Sequence, residues 1–275
     1  SRGLGDVYKR QGLLTAITPV GLVVDHVIAN NIRDRVKSVE ELSVRVDNAP
    51  SYQLIQGKVN RVRIASRGIE PIDHVRIDTL DIETDPIDVK VNDLKTGNLE
   101  QVRGSLRSPL QGAFHLIITE DDINKALAEP QIKSQIQALL GRLLPSDIPT
   151  LEFMNAKVTL KAANRAQVEL QLQQKVDESE PPEKLEITIE TGFKVIEGRS
   201  LELIEPTASL NGRKISQRIL QGVLGSISDR LTLKRLEKYG IIARVLELQL
   251  DNKAVNVAAF VRLNPLEPDS SKNLK

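Results

Sequence analysis

The chain has 275 residues, enough for one large domain or two small ones, and it has no cysteine. Neither a disulfide framework nor a thiolate metal site is therefore possible. The formal net charge is +1, charges of both signs are mixed along the chain, and there are four Phe, three Tyr and no Trp. So little net charge and so few stacking side chains argue against nucleic acid as a partner.

The N-terminal segment bears on targeting. Residues 12–24 are mostly apolar and follow Lys9 and Arg10, which mimics the apolar region of a signal peptide. We do not favour a cleaved signal, because Pro19 interrupts this run and no small-residue cleavage site follows. Residues 1–11 match nothing downstream and are predicted to be disordered or a remnant foreign to the domain. No run of about 18 apolar residues occurs, so no transmembrane span is predicted.

The segment 20–39 is predicted to be an amphipathic helix around which the rest of the chain is organised. Its apolar residues recur every three or four positions and form one broad stripe, whereas His26, Arg33 and Lys37 lie opposite. Pro19 suits the first helical position, because its missing N–H would have no partner there. At 1.5 Å per residue this helix would reach roughly 30 Å.

The segment that follows the helix is predicted to be rich in β-strands. Strands are expected at 42–47, 52–64, 74–91, 92–98, 102–106 and 113–118. Gly57 is expected to mark a bulge or bend in the second of them. The apolar phase slips within the second and third strands, which is typical of a strongly bent and coiled sheet.

A pair of helices is predicted in the middle of the chain. Thr119 with Asp122 three residues later resembles a capping box, so a helix should begin there. Pro130 ends that helix and begins a second one, which the prolines after Leu143 terminate. The pair, 119–144, thus separates two β-rich halves, 42–118 and 151–263.

The second half repeats this plan of strands followed by a helix. We expect a hairpin of 154–162 and 166–173, an acidic mobile loop at 177–183, strands at 185–191 and 201–210, and a closing hairpin of 242–250 and 253–263. Between the strand at 201–210 and this hairpin, Asn211 and Gly212 turn into a helix that carries the apolar residues from Ile215 to Leu231 and has Arg235 and Lys238 in its last turn. Gly240 is a plausible helix C-cap. The last strand shows the cleanest alternation of apolar and polar residues in the chain. Residues 264–275 are predicted to be a disordered tail.

No catalytic constellation is evident around the histidines. His26, His74 and His115 are too far apart in sequence for a helical metal pair, and no nucleophile motif accompanies them. His26 is expected to be solvated, and the other two to have backbone partners. We therefore predict no catalytic residues.

Acidic and basic residues also alternate on the predicted strands. Asp81, Glu83 and Asp85 share one strand face, but Pro86 stands where a calcium loop needs glycine, so no metal site is predicted. The start of a predicted helix carries a group of three cations, Arg213, Lys214 and Arg218. Such groups beside an anionic membrane surface contribute about 1 kcal/mol per residue. A charged solvent face that discourages aggregation is the favoured alternative.

Four segments and the opening helix together resemble a known family. The segments are LIQGKV at 54–59, VRIASRGI at 62–69, IDTLDIET at 77–84 and LIITEDDINKAL at 116–127. They resemble the LmeA-like phospholipid-binding family, its cyanobacterial members in particular, over about residues 12–263. These motifs are glycine turns and a helix start, so they identify a family better than a site.

The resemblance implies an α+β fold in a single domain, 12–263. In that fold a long, strongly bent antiparallel sheet wraps around amphipathic helices, similar to tubular lipid-binding (TULIP-like) folds, and leaves an apolar groove. It also implies phospholipid binding and a part in envelope or cell-wall lipid metabolism, and no catalytic residues carry over. Actinobacterial members have secretory or membrane-anchoring N-termini. None is evident here, so the compartment, periplasmic or cytoplasmic, stays open.

We therefore predict a non-enzymatic phospholipid-binding or lipid-transfer protein, peripherally associated with membranes and needing no cofactor. The residues expected to line its acyl groove are Val24, Val27, Ile28, Ile32, Ile219, Val223 and Ile227. The candidate headgroup ligands are Arg61, Arg63 and Arg67, which share one face of a predicted strand. Ordinary core packing explains the apolar set equally well. Two alternatives are an interaction domain with a solid core and a lipid-headgroup hydrolase that uses His74 or His115.

Overall fold

The computed structural model describes residues 19–47, 51–90, 99–143, 151–174, 183–228 and 231–266. The α-helices in these ranges are α1 (Pro19–Arg33), α2 (Leu99–Ser105), α3 (Glu120–Ala128), α4 (Pro130–Leu143) and α5 (Gln217–Ser228). Two 3-10 segments lie at Ser51–Gln53 and Leu233–Tyr239. The strands are β1 (Ser38–Asp47), β2 (Lys58–Val59), β3 (Arg61–Ile72), β4 (Val75–Thr84), β5 (Ile87–Asp88), β6 (Leu110–Thr119), β7 (Leu151–Lys161), β8 (Arg165–Gln174), β9 (Glu183–Ile196), β10 (Ser200–Leu210), β11 (Arg213–Lys214), β12 (Ile241–Leu250) and β13 (Ala254–Leu263).

The strands form two large antiparallel sheets. The first has the order β1-β3-β4-β6-β13-β12 and the second the order β11-β10-β9-β8-β7, while β2 and β5 pair separately. The C-terminal hairpin β12–β13 joins the strands of the first half, since β13 pairs with β6 along its whole length. The two β-rich halves of the sequence therefore do not correspond to the two sheets. Neither sheet closes on itself, and the architecture is mostly antiparallel β with some helices.

The opening helix is shorter than the sequence predicts. It spans 15 residues and ends at Arg33, whereas we expected it to reach residue 39. The Val36 N–H still bonds to the Ile32 carbonyl, but the next N–H, of Lys37, bonds to Glu70 O and begins the pairing of β1 with β3. Val39 belongs to β1 and lies opposite Ile69. The helical spacing predicted Val39 to be part of α1, but its pairing with β3 makes it part of β1.

Helix α1 lies against β1, an edge strand of the first sheet. Asp25 Oδ1 accepts a hydrogen bond of 2.7 Å from the Val46 N–H. Ala29, one turn further along the helix, is buried. The helix therefore covers a strand edge and satisfies one of its free donors, which protects the edge from pairing with another chain.

Two predicted strands have a different structure. Residues 52–64 are not one strand, since a 3-10 turn and Gly57 at φ 81° separate Tyr52 from β2. Residues 102–106 were expected to be a strand but fall mostly in α2. The predictions for 92–98, for the ends of the second mid-chain helix at 144–150, and for most of 177–183 lie outside the described residues. The same holds for residues 1–18 and 267–275.

The mid-chain helices connect the two sheets. Thr119 caps α3 as predicted, because its Oγ1 accepts from the Asp122 N–H at 3.1 Å. Pro130 is the first residue of α4, as predicted. Helices α3 and α4 pack on the second sheet around Phe153 and Leu172. Ile123 of α3 also joins a cluster that includes Leu160 of the second sheet and Leu250 of the first. This cluster joins the two sheets through apolar contact.

Helix α5 covers another part of the second sheet. Leu220 and Leu224 are buried against Ala208 of β10 and its neighbours. The helix begins at Gln217, because Arg213 and Lys214 first form the short strand β11. Pro206 breaks the register of β10, as expected of a proline within a strand. Helices α3 and α4 thus cover one part of the apolar face of this sheet, and α5 covers another part.

Candidate functional site

One face of the first sheet is apolar and forms a groove, here called the sheet groove. Its volume is about 480 Å³, within the usual range for small-molecule sites. Its apolar lining includes Leu80, Ile82, Phe114, Leu116, Val261 and Leu263. No helix or strand of the described ranges fills this groove, and contiguous apolar patches of this kind often mark binding sites.

The register of the strands explains why these residues meet. Ile82 lies opposite Phe114, and Leu80 opposite Leu116, in the β4–β6 pair. In the β6–β13 pair the alternate residues of β13 point to the same face, since Ala259 is opposite Phe114. The alternation in three neighbouring strands thus gives one continuous aliphatic surface. Burying an acyl chain there would gain about 0.8 kcal/mol per CH₂ group.

The opposite face of the same sheet carries paired charges. Arg67 binds Asp81 at 2.7 Å, Arg63 binds Asp47 at 3.0 Å, and Arg61 lies 3.2 Å from Glu83. The three predicted headgroup ligands do share this face, but each has a carboxylate partner on a neighbouring strand. They therefore offer a lipid phosphate little unpaired positive charge.

The charge pairing on this face also shifts ionisation. The pKa of the Asp47 carboxyl is lowered, chiefly because Arg45 donates a hydrogen bond to it, with Arg63 adding to the effect. The pKa of Arg67 is raised by its bond to Asp81. These shifts favour the charged forms, so the face stays zwitterionic at neutral pH.

A second cavity, here called the junction pocket, lies where the two sheets meet. Its volume is about 390 Å³, and its apolar lining includes Val195 and Leu201 of the second sheet with Leu248 and Val257 of the first. The backbone joins the sheets at the same place, because the Val245 N–H donates to Gly198 O at 2.8 Å. Gly198 has φ 67°, and a Cβ there would lie 2.9 Å from Val245 O. Glycine is therefore required for this contact.

The junction pocket and the sheet groove lie on the same face of β13. Val257 lines the first, Val261 and Leu263 line the second, and Ala259 lies between them. All four residues have the same parity on the strand, so their side chains point to one side. Six residue steps from Val257 to Leu263 span about 20 Å at 3.3 Å per residue.

The predicted groove residues are not brought together in this way. Ile28 and Ile32 are half-buried on α1, which lies against β1, whereas the later candidates are on α5, which packs on the second sheet. Ile219 is 62% exposed. The same helix buries Leu220, the residue after Ile219, and Leu224. The other four candidates, whose side chains lie outside what the structure describes, are Val24, Val27, Val223 and Ile227.

The histidines are distributed as follows. His26 is exposed on α1, and His74 is exposed in the β3–β4 turn with φ 60°. His115 Nε2 lies 2.9 Å from Asn256 Oδ1, and its Nδ1 lies 3.7 Å from Asp81 Oδ2. Within the described ranges, no group of three or more acidic or histidine side chains is arranged to hold a metal ion.

The residues of the sheet groove were missed at the sequence level. The signal available was the alternation of Val255 to Leu263, which marks a strand with one apolar face. That pattern indicates an apolar face, but it does not show whether a helix packs on this face or the face is left open as a groove. The identity of the neighbouring strands, which the pairing of β13 with β6 supplies, was needed as well.

None of the helices in the described ranges combines the length and hydropathy that crossing a bilayer requires.

The comparisons with known proteins identify the family of this chain. No curated protein matches the chain. The model of the LmeA-like phospholipid-binding family matches residues 15–260, nearly the whole sequence, and this chain therefore belongs to that family.

Proposed function

We propose that the protein binds membrane phospholipid by holding acyl chain in the sheet groove, without catalysing a reaction. The observation that carries this proposal is the aliphatic lining of the groove across β4, β6 and β13. Membership of a phospholipid-binding family gives the ligand class. The protein then acts as a lipid carrier or sensor that associates peripherally with a membrane.

The size of the groove supports an acyl chain as its occupant. The hydrocarbon core of a bilayer is about 30 Å thick, so a chain in one leaflet extends about 15 Å. Along β6 the groove runs from Leu110 to Leu116, six residue steps or about 20 Å, which is long enough to hold one such chain. With about 0.8 kcal/mol per CH₂, ten buried methylene groups would contribute roughly 8 kcal/mol before the costs of binding are subtracted.

A single introduced tryptophan tests this proposal, since the chain has none of its own. Phe114→Trp places the reporter in the sheet groove, whereas Leu246→Trp places it at a residue that is 66% exposed. We expect phospholipids with brominated acyl chains to quench the Phe114→Trp variant strongly and the Leu246→Trp control weakly. Native mass spectrometry of the wild-type protein should detect co-purified or added phospholipid.

Two results would count against the proposal. Absence of bound phospholipid in native mass spectra, together with no binding to anionic or neutral vesicles, would favour an interaction domain with a solid core. Equal quenching of both tryptophan variants would place the lipid elsewhere. Circular dichroism and the thermal midpoint of each variant check that the fold is retained.

A further inference from the structure

The side chain of Arg199 lines the junction pocket and has an unused hydrogen-bond donor. Its Nε is buried and has no partner, the single such side-chain nitrogen or oxygen within the described ranges. Leaving a buried donor unpaired is costly, and charged donors cost more than neutral ones. Such an atom in a native structure therefore calls for an explanation, for which a bound ligand is one candidate.

Among the residues that the structure describes, the ion pair of this guanidinium is long. Its Nη1 lies 3.7 Å from Glu237 Oε1, too far for a hydrogen bond, and the side chain is 31% exposed. Part of the side chain is therefore open to solvent, although Nε itself is not. By comparison, the predicted headgroup ligand Arg67 lies 2.7 Å from its carboxylate partner. Arg199 is thus better placed than Arg67 to accept a new anionic partner.

Two residues with hydroxyl groups line the junction pocket together with Arg199, and the rest of the lining is apolar. Ser200 Oγ bonds to Thr232 Oγ1 at 3.2 Å, and both residues line the pocket beside Arg199. The other lining residues are aliphatic, among them Leu231 and Leu233. A cation beside hydroxyls at one part of an aliphatic cavity matches an amphiphile with an anionic head.

We propose that Arg199 binds the anionic phosphate of a lipid whose acyl chain lies in the junction pocket. This inference rests on the proposed function. A turn of the side chain towards the pocket lets the phosphate oxygen accept from Nε–H, and the planar guanidinium then offers a second, nearly parallel donor to the same group. The acyl chain lies against the aliphatic lining of the pocket, among it Leu231, Leu248 and Val257.

Two ligands with the same oleoyl chain test the inference. Lysophosphatidic acid carries a phosphate, and monooleoylglycerol does not. Their affinities can be measured by displacement of the neutral dye N-phenyl-1-naphthylamine, below the concentrations at which the lipids aggregate. We expect the wild-type protein to bind the phosphate ligand about tenfold more tightly, which corresponds to about 1.4 kcal/mol.

Variants of Arg199 separate charge from geometry. Arg199→Gln should lower the affinity for lysophosphatidic acid about tenfold and change the affinity for monooleoylglycerol much less, so that the preference for the phosphate ligand is lost. Arg199→Lys keeps the charge but not the planar fork, so it should recover part of the preference. Glu237→Gln removes the nearby competing carboxylate and should strengthen phosphate binding. Inorganic phosphate alone should displace neither lipid.

The outcomes distinguish the two proposals. If both lipids bind but Arg199→Gln keeps the wild-type preference, the headgroup inference fails and the proposed function stands. If neither lipid binds to the wild-type protein, the proposed function fails and the inference fails with it. If inorganic phosphate competes as well as the lysolipid does, the site is a free-phosphate site and the headgroup inference is overturned.

Discussion

The side-chain amide of Asn164 is bonded to the backbone of Leu250, which lies 86 residues later in the chain. Asn164 Oδ1 accepts from the Leu250 N–H at 2.7 Å, and Asn164 Nδ2 donates to Leu248 O at 3.3 Å. Asn164 is in the β7–β8 turn, whereas β12 is an edge strand of the first sheet. One side chain thus satisfies backbone groups of a strand edge and links the two sheets beside the junction pocket.

Removing this amide should destabilise the protein. Asn164 has φ 56°, so Asn164→Ala would lose the hydrogen bonds and also strain a left-handed position. Asn164→Gly would lose only the bonds, and we expect it to lower the free energy of unfolding by about 1–3 kcal/mol. Urea unfolding gives this value. Asn164→Asp keeps the acceptor for Leu250 and should lose less, and a glycine variant as stable as the wild type would contradict the assigned role.

Two glycines with nearly the same backbone conformation offer a matched test of steric crowding. Gly240 has φ 75° and Gly212 has φ 76°, but a Cβ at Gly240 would lie 2.5 Å from the Arg103 guanidinium, whereas one at Gly212 would meet nothing within 4 Å. We expect Gly212→Ala to cost about 1 kcal/mol and Gly240→Ala clearly more. Thermal unfolding measures both. Equal costs would show that Arg103 moves aside freely, despite its bond to Asn264 O.

Local signals in the sequence predicted much of the fold. Thr119 and Pro130 marked helix starts correctly, and Gly240 caps the 3-10 segment Leu233–Tyr239 in the left-handed conformation. The β7–β8 and β12–β13 hairpins lie where the alternation and the turn residues placed them. These features depend on residues a few positions apart, which the sequence displays directly.

The errors arose where one apolar pattern fits two structures. Val36 and Val39 continue the helical spacing of α1, yet Val39 is equally suited to a strand and pairs with Ile69. Val102 and Leu106 are four residues apart, which suits a helix better than the strand that we predicted. A segment so short does not define its own period. Tertiary pairing decided the first case.

The site itself could not be predicted from local patterns. The sheet groove takes residues from β4, β6 and β13, and the last of these lies more than a hundred residues after the others. Which strand neighbours β6 follows from long-range pairing, so helical stripes such as the one containing Ile219 looked like the better candidates. The orphan donor of Arg199 is likewise a property of three-dimensional contacts and has no signature in sequence.

The β12–β13 turn should respond to acid through Asp251. Its Oδ1 accepts from the Lys253 N–H at 2.7 Å and the Ala254 N–H at 2.9 Å, and these bonds lower the pKa of the carboxyl below its ordinary value of 3.8. A lowered pKa means that the carboxylate favours the folded state above the unfolded pKa. That contribution is lost as the pH falls from about 4 through the folded pKa.

Carbon-detected NMR titration of Asp251 should give a midpoint below 3.8. Asp251→Asn keeps an oxygen acceptor but does not titrate. The stability difference between the wild type and this variant should therefore shrink as the pH is lowered from about 5 to about 3. A midpoint at or above the ordinary value, or a difference that does not change with pH, would contradict the bonded carboxylate.

The hydroxyl of Thr119 should be worth about 1–2 kcal/mol to the start of α3. It accepts from the Asp122 N–H and donates to Asp122 Oδ2 at 2.7 Å, while Asp122, only 4% exposed, also binds Arg76 at 3.0 Å. Thr119→Val has the same shape without the hydroxyl, so urea unfolding should show this loss. Thr119→Ser keeps both bonds and should stay within about 0.5 kcal/mol of the wild type. Equal stability of the valine and serine variants would mean that Arg76 alone holds Asp122 and that the cap contributes nothing.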